Sequence, residues 1–414
     1  MRTLYTVVLR LLLPFVLARL WLRGRREPGY REGVSERFGV YRGEKPGKLV
    51  WVHAVSVGEA RAAAPLVRAL AARLPDHRIL ITCTTVAGRE TLKQVYGDSI
   101  LAAFLPYDFP EAVQAFLAHF SPGLAVLMET EVWPNLLAGC AARGVPVVLA
   151  NARLSEKSAR GYLRLRSLAK PAFASLTLVC AQSEADAARL RSVGARRVEV
   201  TGNLKFDVGP DPEQLAAGRA WRAAIGRPML LLASTREGEE QMLLEELKAD
   251  RNLLVVIVPR HPQRFDDVAP MTQSRRTRQP LPLPEHRLYL GDTMGEMPFY
   301  YAACDVAVIG GSFAPLGGQN LIEALACGSP VVVGPSMFNF AEATRLALEA
   351  GAVLQAANAA EAVKLAVSLL HDARLRRAMS AAGRKLCQTH RGATGRHLRL
   401  LDEVIRAATA PARG

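Results

Sequence analysis

The chain has 414 residues, half of them hydrophobic and 22% charged, with a formal net charge of +15. That length exceeds one ordinary core and predicts two domains, while the composition excludes a disordered chain. The charge favours anionic partners such as nucleic acid, acidic lipid head groups, nucleotides or phosphosugars. Aromatic residues make up only 6%, too few for the interleaved basic and aromatic surface of a single-strand nucleic-acid binder. Six cysteines stand singly, with no CxxC pair or Cys/His cluster. This argues against a zinc site and fits reduced, mostly buried thiols.

Leu4–Leu22 is almost entirely apolar, interrupted by Arg10, Pro14 and Arg19, and Arg23, Arg25 and Arg26 follow it. About 20 apolar residues cross a bilayer, and the interruptions make this a poor span. An interfacial helix with snorkelling arginines fits as well. No small-x-small cleavage site precedes the arginines. Residues 1–24 are therefore expected to be a membrane anchor, with the basic cluster holding the rest of the chain on the cytoplasmic side. A buried first helix of the globular fold is the alternative.

Short apolar runs then alternate with helical patterns. Strands are expected at Lys48–His53, Arg78–Cys83, Leu101–Leu105, Leu124–Met128, Val145–Ala150, Leu176–Ala181 and Val198–Thr201, with helices such as Ala60–Arg73 and Pro134–Arg143 between them. "FDVGPDPEQ" breaks the rhythm. The pattern resumes with strands at Met229–Ala233, Leu253–Val258, Arg287–Leu290, Val306–Ile309 and Val331–Val333, and helices at Glu239–Lys248, Leu321–Cys327, Ala341–Glu349 and Ala360–His371. "TQSRRTRQPLPLPEH" reads as a polar loop. The expectation is α/β: two doubly wound domains at 25–206 and 215–395, a linker at 207–214, and a C-terminal helix within 396–414 that packs back on the first domain. Ligands bind at the carboxyl ends of strands in such sheets, so the active site is expected in a cleft between the domains.

"GGSFAPLGGQNLIEA" places a Gly-rich loop after a strand and opens a helix near Gln319–Asn320. Backbone N–H groups there suit a phosphate, Gly317 and Gly318 permit close approach, and Glu323 can accept from ribose hydroxyls. "VIVPRHPQRF" puts Arg260, His261 and Arg264 past a strand end, where arginine suits phosphate. Gly295 and Glu296 in "GDTMGEM" can face a base edge. In the first half, "METEVWPN" brings Glu129 and Glu131 to one side if the segment stays extended. They can orient a substrate, hold a basic side chain or share a metal. Lys205 in "GNLKFD" can stabilise an anion or lie on the surface. Ser234, Thr235 and Arg236 in "ASTREGEE" can bind an anion or simply cap a helix. "WVHAVSVGEA" sets Glu59 at a helix start after a strand, as a cap or as the base for an acceptor hydroxyl.

Together "SVGE", "TTVAGRE", "LPYDFP", "METEVWPN", "NARLSEKSARGY", "TGNLKFD", "VPRHPQRF", "GDTMGEM" and "GGQNLIEA…GPSMFNF" resemble the bacterial lipid A Kdo (3-deoxy-D-manno-octulosonic acid) transferases, in order from the N-terminus to about Phe340. The resemblance implies a GT-B fold of two Rossmann-like domains at the inner membrane, cytoplasmic side, in lipopolysaccharide biosynthesis. It implies inverting transfer of Kdo from CMP-Kdo to lipid IV-A, with no metal in the nucleotide site; no cofactor and no nucleic-acid partner are expected. It assigns the base to Glu59, transition-state stabilisation to Glu129 and Lys205, and CMP contacts to Pro259, Arg260, Met294, Gly295, Glu296, Asn320, Leu321, Ile322 and Glu323. Two positions depart from the pattern: many members carry His where this chain has Arg236 and Gln319. A UDP-sugar transferase or epimerase of the same fold, and a non-catalytic membrane-bound anion binder, are the rival readings.

Overall fold

Runs rich in Val, Leu, Ile and Ala are too apolar for a sheet with one wet face, and they form strands covered on both sides. The computed structural model describes residues 1–247 and 252–409. It divides into a first unit, Met1–Val208 with the chain from Gly392 onward, and a second, Gly209–Arg391.

In the first unit, β1 (Leu49–His53), β2 (Arg78–Cys83), β3 (Leu101–Phe104), β4 (Leu124–Met128), β5 (Val147–Ala152), β6 (Leu178–Ala181) and β7 (Val198–Val200) form one sheet in the order β3-β2-β1-β4-β5-β6-β7. The pairings are parallel. Alternation along β1 sends Leu49 and Trp51 to one face, with Leu80 and Phe116. It sends Val50 and Val52 to the other, with Leu66 and Ile79. The Trp51 indole donates to the Thr82 hydroxyl at 2.8 Å, so the buried N–H is satisfied. The strand order reverses between β1 and β4, and connections diverge there, leaving a crevice at the strands' carboxyl ends.

The second unit repeats the plan. Its strands are β8 (Met229–Thr235), β9 (Leu254–Pro259), β10 (Ser274–Arg275), β11 (Leu288–Leu290), β12 (Val306–Ile309), β13 (Val331–Val333) and β14 (Val353–Gln355), in the order β10-β11-β9-β8-β12-β13-β14. The reversal lies between β8 and β12.

Some elements differ from the sequence reading. The two-residue β10 sits inside the expected loop at 272–286, and β14 and the helix Ala373–Thr389 were not anticipated. The stretch expected as linker holds a helix start, because the helix Pro212–Ile225 begins within it. The Asp211 carboxylate accepts from the N–H groups of Glu213 and Gln214 at 2.9 and 3.4 Å, with Pro212 in the first turn. Asp-Pro is thus a cap here, although it reads as a breaker. The helix expected to reach Lys248 ends at Glu246, and Lys248 lies outside the described residues.

The last helix, Ala393–Thr409, packs on the first unit, where Leu401 and Val404 join the core with Leu66 and Leu70. Residues 410–414 of the expected terminal segment lie outside the described residues. Asp207 accepts from the N–H groups of Gly392 and Thr394 at 2.7 and 2.5 Å. His397 is fully buried and accepts the Asn151 N–H at 3.0 Å on Nε2. Burial pushes its pKa down to about 4, so the ring is held neutral.

Candidate active site

β1 ends at His53, and the helix Val57–Arg73 begins three residues before the expected Ala60. Ser56 is its N-cap and accepts the Glu59 N–H at 3.4 Å. Glu59 answers by accepting from the Val55 N–H at 2.9 Å and the Ser56 hydroxyl at 3.3 Å. This is a variant of the capping box, one residue further back. The cap reading of Glu59 is therefore correct as far as it goes. Yet burial and the negative charge of Glu129 push its carboxyl up to about 8. A pure cap has no need of that shift, whereas a general base works best with a pKa near the operating pH.

β4 ends at Met128, and Glu129 follows with φ of 56°, a left-handed conformation unusual for a side-chain-bearing residue. Such strain costs of order 1–3 kcal/mol and collects at functional sites. The carboxylate is 5% exposed and held by two cations, Lys205 Nζ at 2.8 Å and Arg153 Nε at 2.7 Å. Burial alone would raise its pKa; Lys205 and Arg153 outweigh that and hold it down at about 2. Glu129 is thus anionic while Glu59, at the other side of the reversal, is poised to exchange a proton.

The condition for a same-side pairing of Glu129 and Glu131, an extended segment, is not met. The strand stops at Met128 and the chain turns, so the period-two rule no longer applies. Glu131 instead accepts from the Trp133 indole at 2.8 Å and lies 3.6 Å from Nε2 of buried His53. Among the described residues no group of His, Cys, Asp and Glu gathers as a metal site. Glu129 is bound to cations of the chain itself.

Lys205 owes its place to a turn that sequence reasoning missed. Asn151, with φ of 52°, accepts the Leu204 N–H at 3.0 Å, and the Asn203 side chain accepts the Lys205 N–H at 3.0 Å. Arg153 and His53 were missed as well. The signal for Arg153 was "NAR" directly after a strand, but its partner lies 24 positions away.

In the second unit, the start of the helix Glu239–Glu246 is occupied by the chain's own acid. Glu239, 1% exposed, accepts from the N–H groups of Arg236 at 2.9 Å, Gly311 at 2.6 Å and Phe313 at 3.1 Å. Gly238 is the N-cap, and the Thr235 hydroxyl donates to buried Glu240 at 2.5 Å. Ser234 and Thr235 therefore do not cap this helix, and an external anion has no place among these donors. Arg264 is committed to Glu240 by a fork of 2.6 and 2.9 Å. His261 meets Arg236 at 2.8 Å. Burial and the charges of Arg260, Arg236 and Arg264 push its pKa down to about 4.

Gly317 and Gly318 have φ of 84° and 73°. A Cβ on Gly318 would stand 2.1 Å from the Met337 sulfur, and one on Gly317 2.5 Å from the Asn339 amide. Glycine is required here by the chain's own packing, before any ligand is considered.

The remaining positions form a row. In the order β11-β9-β8-β12, Met294, Gly295 and Glu296 follow β11, Pro259 ends β9 with Arg260 beyond it, and Gln319–Glu323 follow β12. Three strand spacings span roughly 14 Å, about the extent of a nucleotide. Arg260 Nε donates to Gln319 Oε1 at 3.1 Å, which ties two of these loops together. Asn320 caps the helix Leu321–Cys327 by accepting the Ile322 N–H at 3.2 Å. Leu321 and Ile322 are buried, so only their main chain can face a ligand. Glu296 is paired with Arg276 at 2.7 Å and accepts from Thr293 at 2.5 Å, which holds its pKa below the usual range despite burial. Gly295 offers its carbonyl to Gln214 at 3.1 Å, and Met294 is exposed.

A family model described as 3-deoxy-D-manno-octulosonic-acid transferase (kdotransferase) matches residues 32–208, and one described as glycosyl transferases group 1 matches residues 247–386. The chain is 47% identical to the 3-deoxy-D-manno-octulosonic acid transferase of Bordetella pertussis, over 98% of this chain and 99% of that protein. It is 35% identical to the Haemophilus influenzae protein of the same name, with the same coverage. Among solved structures, HepE of Anabaena in complex with UDP is similar at a TM-score of 0.60 and 15% identity, over 86% of this chain and 99% of that one. That likeness concerns the fold alone. The chain belongs to the 3-deoxy-D-manno-octulosonic acid transferase family and is a glycosyltransferase of the GT-B type.

Proposed function

We propose that the protein moves Kdo from CMP-Kdo to the lipid A precursor lipid IV-A, with inversion, at the cytoplasmic side of the inner membrane. The observation that supports this best is the pair of carboxylates flanking the strand reversal of the first sheet. Glu59 is raised to about 8, and Glu129 is held ionised between Lys205 and Arg153. Glu59 takes the proton of an acceptor hydroxyl as its oxygen attacks the anomeric carbon. The bond from that carbon to the phosphate oxygen breaks, and CMP leaves with the electron pair. Lys205, oriented by Glu129, offers positive charge to the acidic sugar in the transition state. In the second unit, the loops after β11, β9 and β12 hold CMP. Arg260 and the first turn at Asn320–Glu323 face the phosphate, and Glu323 accepts from the ribose.

Incubating the purified protein with CMP-Kdo and lipid IV-A and weighing the product by mass spectrometry tests donor, acceptor and number of additions together. Competition of CMP binding by UDP separates the UDP-sugar reading. Glu323→Ala is expected to weaken CMP binding by about 1.5–3 kcal/mol, as for a lost hydrogen bond to a charged group. Unchanged affinity by calorimetry in a folded variant removes Glu323 from the site.

For the membrane, one helix among the described residues, Arg2–Arg25, is long and apolar enough to cross a bilayer, with mean hydropathy 1.7. Deleting residues 1–22 is expected to release most of the protein from membranes and leave CMP binding intact. Retention of the truncated protein after a high-salt wash identifies another anchor.

A further inference from the structure

The helix Arg2–Arg26 is apolar, and its side chains are not equally covered. Thr6, Leu9, Leu13, Val16, Leu20 and Gly24 are buried or half-buried, a stripe at helical spacing over nearly the whole length. The opposite stripe is open: Leu4, Leu11, Phe15 and Leu22 are 56, 70, 73 and 57% exposed. A helix leaving a globular unit to cross a bilayer has no reason to keep one covered stripe to its far end.

Polar ties hold the beginning of the helix to the first unit. Tyr5 donates to Asp108 at 3.0 Å, Asn135 donates to the Thr6 hydroxyl at 2.9 Å, and Arg10 pairs with Glu111 at 2.5 Å. Just past its end the chain is back on the same unit. A Cβ on Gly29 would lie 2.6 Å from Val86, and Arg37 donates to the Thr84 carbonyl at 3.0 Å. Crossing a bilayer takes about 20 residues clear of other protein, some 30 Å. From Arg10 to the helix end the rise is only about 24 Å, and the chain touches the unit on both sides of that stretch.

Asp108 follows β3, Asn135 follows β4 and Val86 follows β2, so these anchoring points all lie at the carboxyl edge of the first sheet. Glu59 and Glu129 lie at that same edge. We propose that this helix lies in the plane of the membrane, with both ends on one side. Its open stripe enters one leaflet, and the carboxyl edge that carries Glu59 and Glu129 is held beside the lipid head groups. The proposal rests on the membrane reading above. The occupant is an anionic lipid surface. Arg19 and Arg25 are exposed on either flank of the open stripe, and the Arg25 guanidinium stacks 4.3 Å from the Trp21 ring, a pair suited to the interface. An acylated acceptor then meets the base without leaving its leaflet.

The test is a full-length chain with a protease site before Met1 and another after Gly414, in sealed vesicles with the globular units outside. Equal cleavage of both sites is expected. Protection of the N-terminal site while the C-terminal one is cut means a spanning helix and overturns the proposal. Protein that stays out of the vesicles altogether overturns the membrane reading instead, and the two failures are distinct. A second measurement uses Phe15→Trp at the most open position. Lipids brominated near the head group are expected to quench the added fluorescence more than lipids brominated near the chain ends. The reverse order places residue 15 at the bilayer centre and overturns the in-plane arrangement.

Discussion

Glu59→Gln is expected to lower kcat by roughly 10²- to 10⁴-fold, the contribution of a positioned general base, with CMP affinity nearly unchanged. Two facts make the substitution informative. The N-terminal box that Glu59 closes with Val55 and Ser56 accepts glutamine as well as glutamate, because only a carbonyl-type oxygen is needed. The proton-accepting capacity is lost nonetheless. A capping role alone therefore predicts almost no change in turnover and at most a modest fall in melting temperature. The parent enzyme should also show the titration. Glu59 is a base only when ionised, so kcat/KM is expected to rise with pH through about 8, and that limb should vanish in the variant. Turnover within about threefold of the parent, far short of the general-base range, assigns Glu59 to structure and means that the base must be sought elsewhere.

Lys205→Met is the second large effect, expected at roughly 10²- to 10³-fold in kcat, as for removal of one preorganised stabilising group. Methionine keeps much of the side chain's length and loses the charge. Glu129 retains Arg153 at 2.7 Å, so its buried carboxylate is not stranded and the fold should survive. The pH profile distinguishes a charge effect from a structural one. Lys205 lowers the Glu59 pKa and Glu129 raises it. Losing Lys205 should move the midpoint of kcat/KM upward. Glu129→Gln removes the negative neighbour and leaves two cations, so it should move the midpoint downward, by on the order of one unit, equivalent to about 1.4 kcal/mol. A Lys205 variant with normal turnover and an unshifted midpoint assigns this lysine to the surface role considered from the sequence.

Local chemistry was legible where it repeated. Buried parallel strands announce themselves as apolar runs, and most strand positions followed from that. "DPEQ" misled because Asp-Pro breaks one element and begins the next, and only the Asp211 bonds show which. "ASTREGEE" misled differently. The donors that look ready for an anion are occupied by Glu239, and two of them belong to Gly311 and Phe313, more than seventy positions on. The need for glycine at Gly318 likewise comes from Met337 and the space it fills.

By itself the sequence determined the α/β class, the strand-loop-helix units, the apolar first helix and the family, because each is carried by a contiguous run of residue types. Strand order was decided only in the folded sheet, where pairing partners are chosen by packing between segments far apart. That order placed the ends of β1 and β4 side by side, and with them Glu59 and Glu129. A pKa near 8 beside one near 2 is equally tertiary. It depends on burial and on Lys205 and Arg153, brought to Glu129 from 76 and 24 positions away. The side of the first helix that meets protein was also fixed by distant partners, Asp108, Glu111 and Asn135. Composition reports how apolar a helix is, and only the surfaces packed against it decide which face remains open.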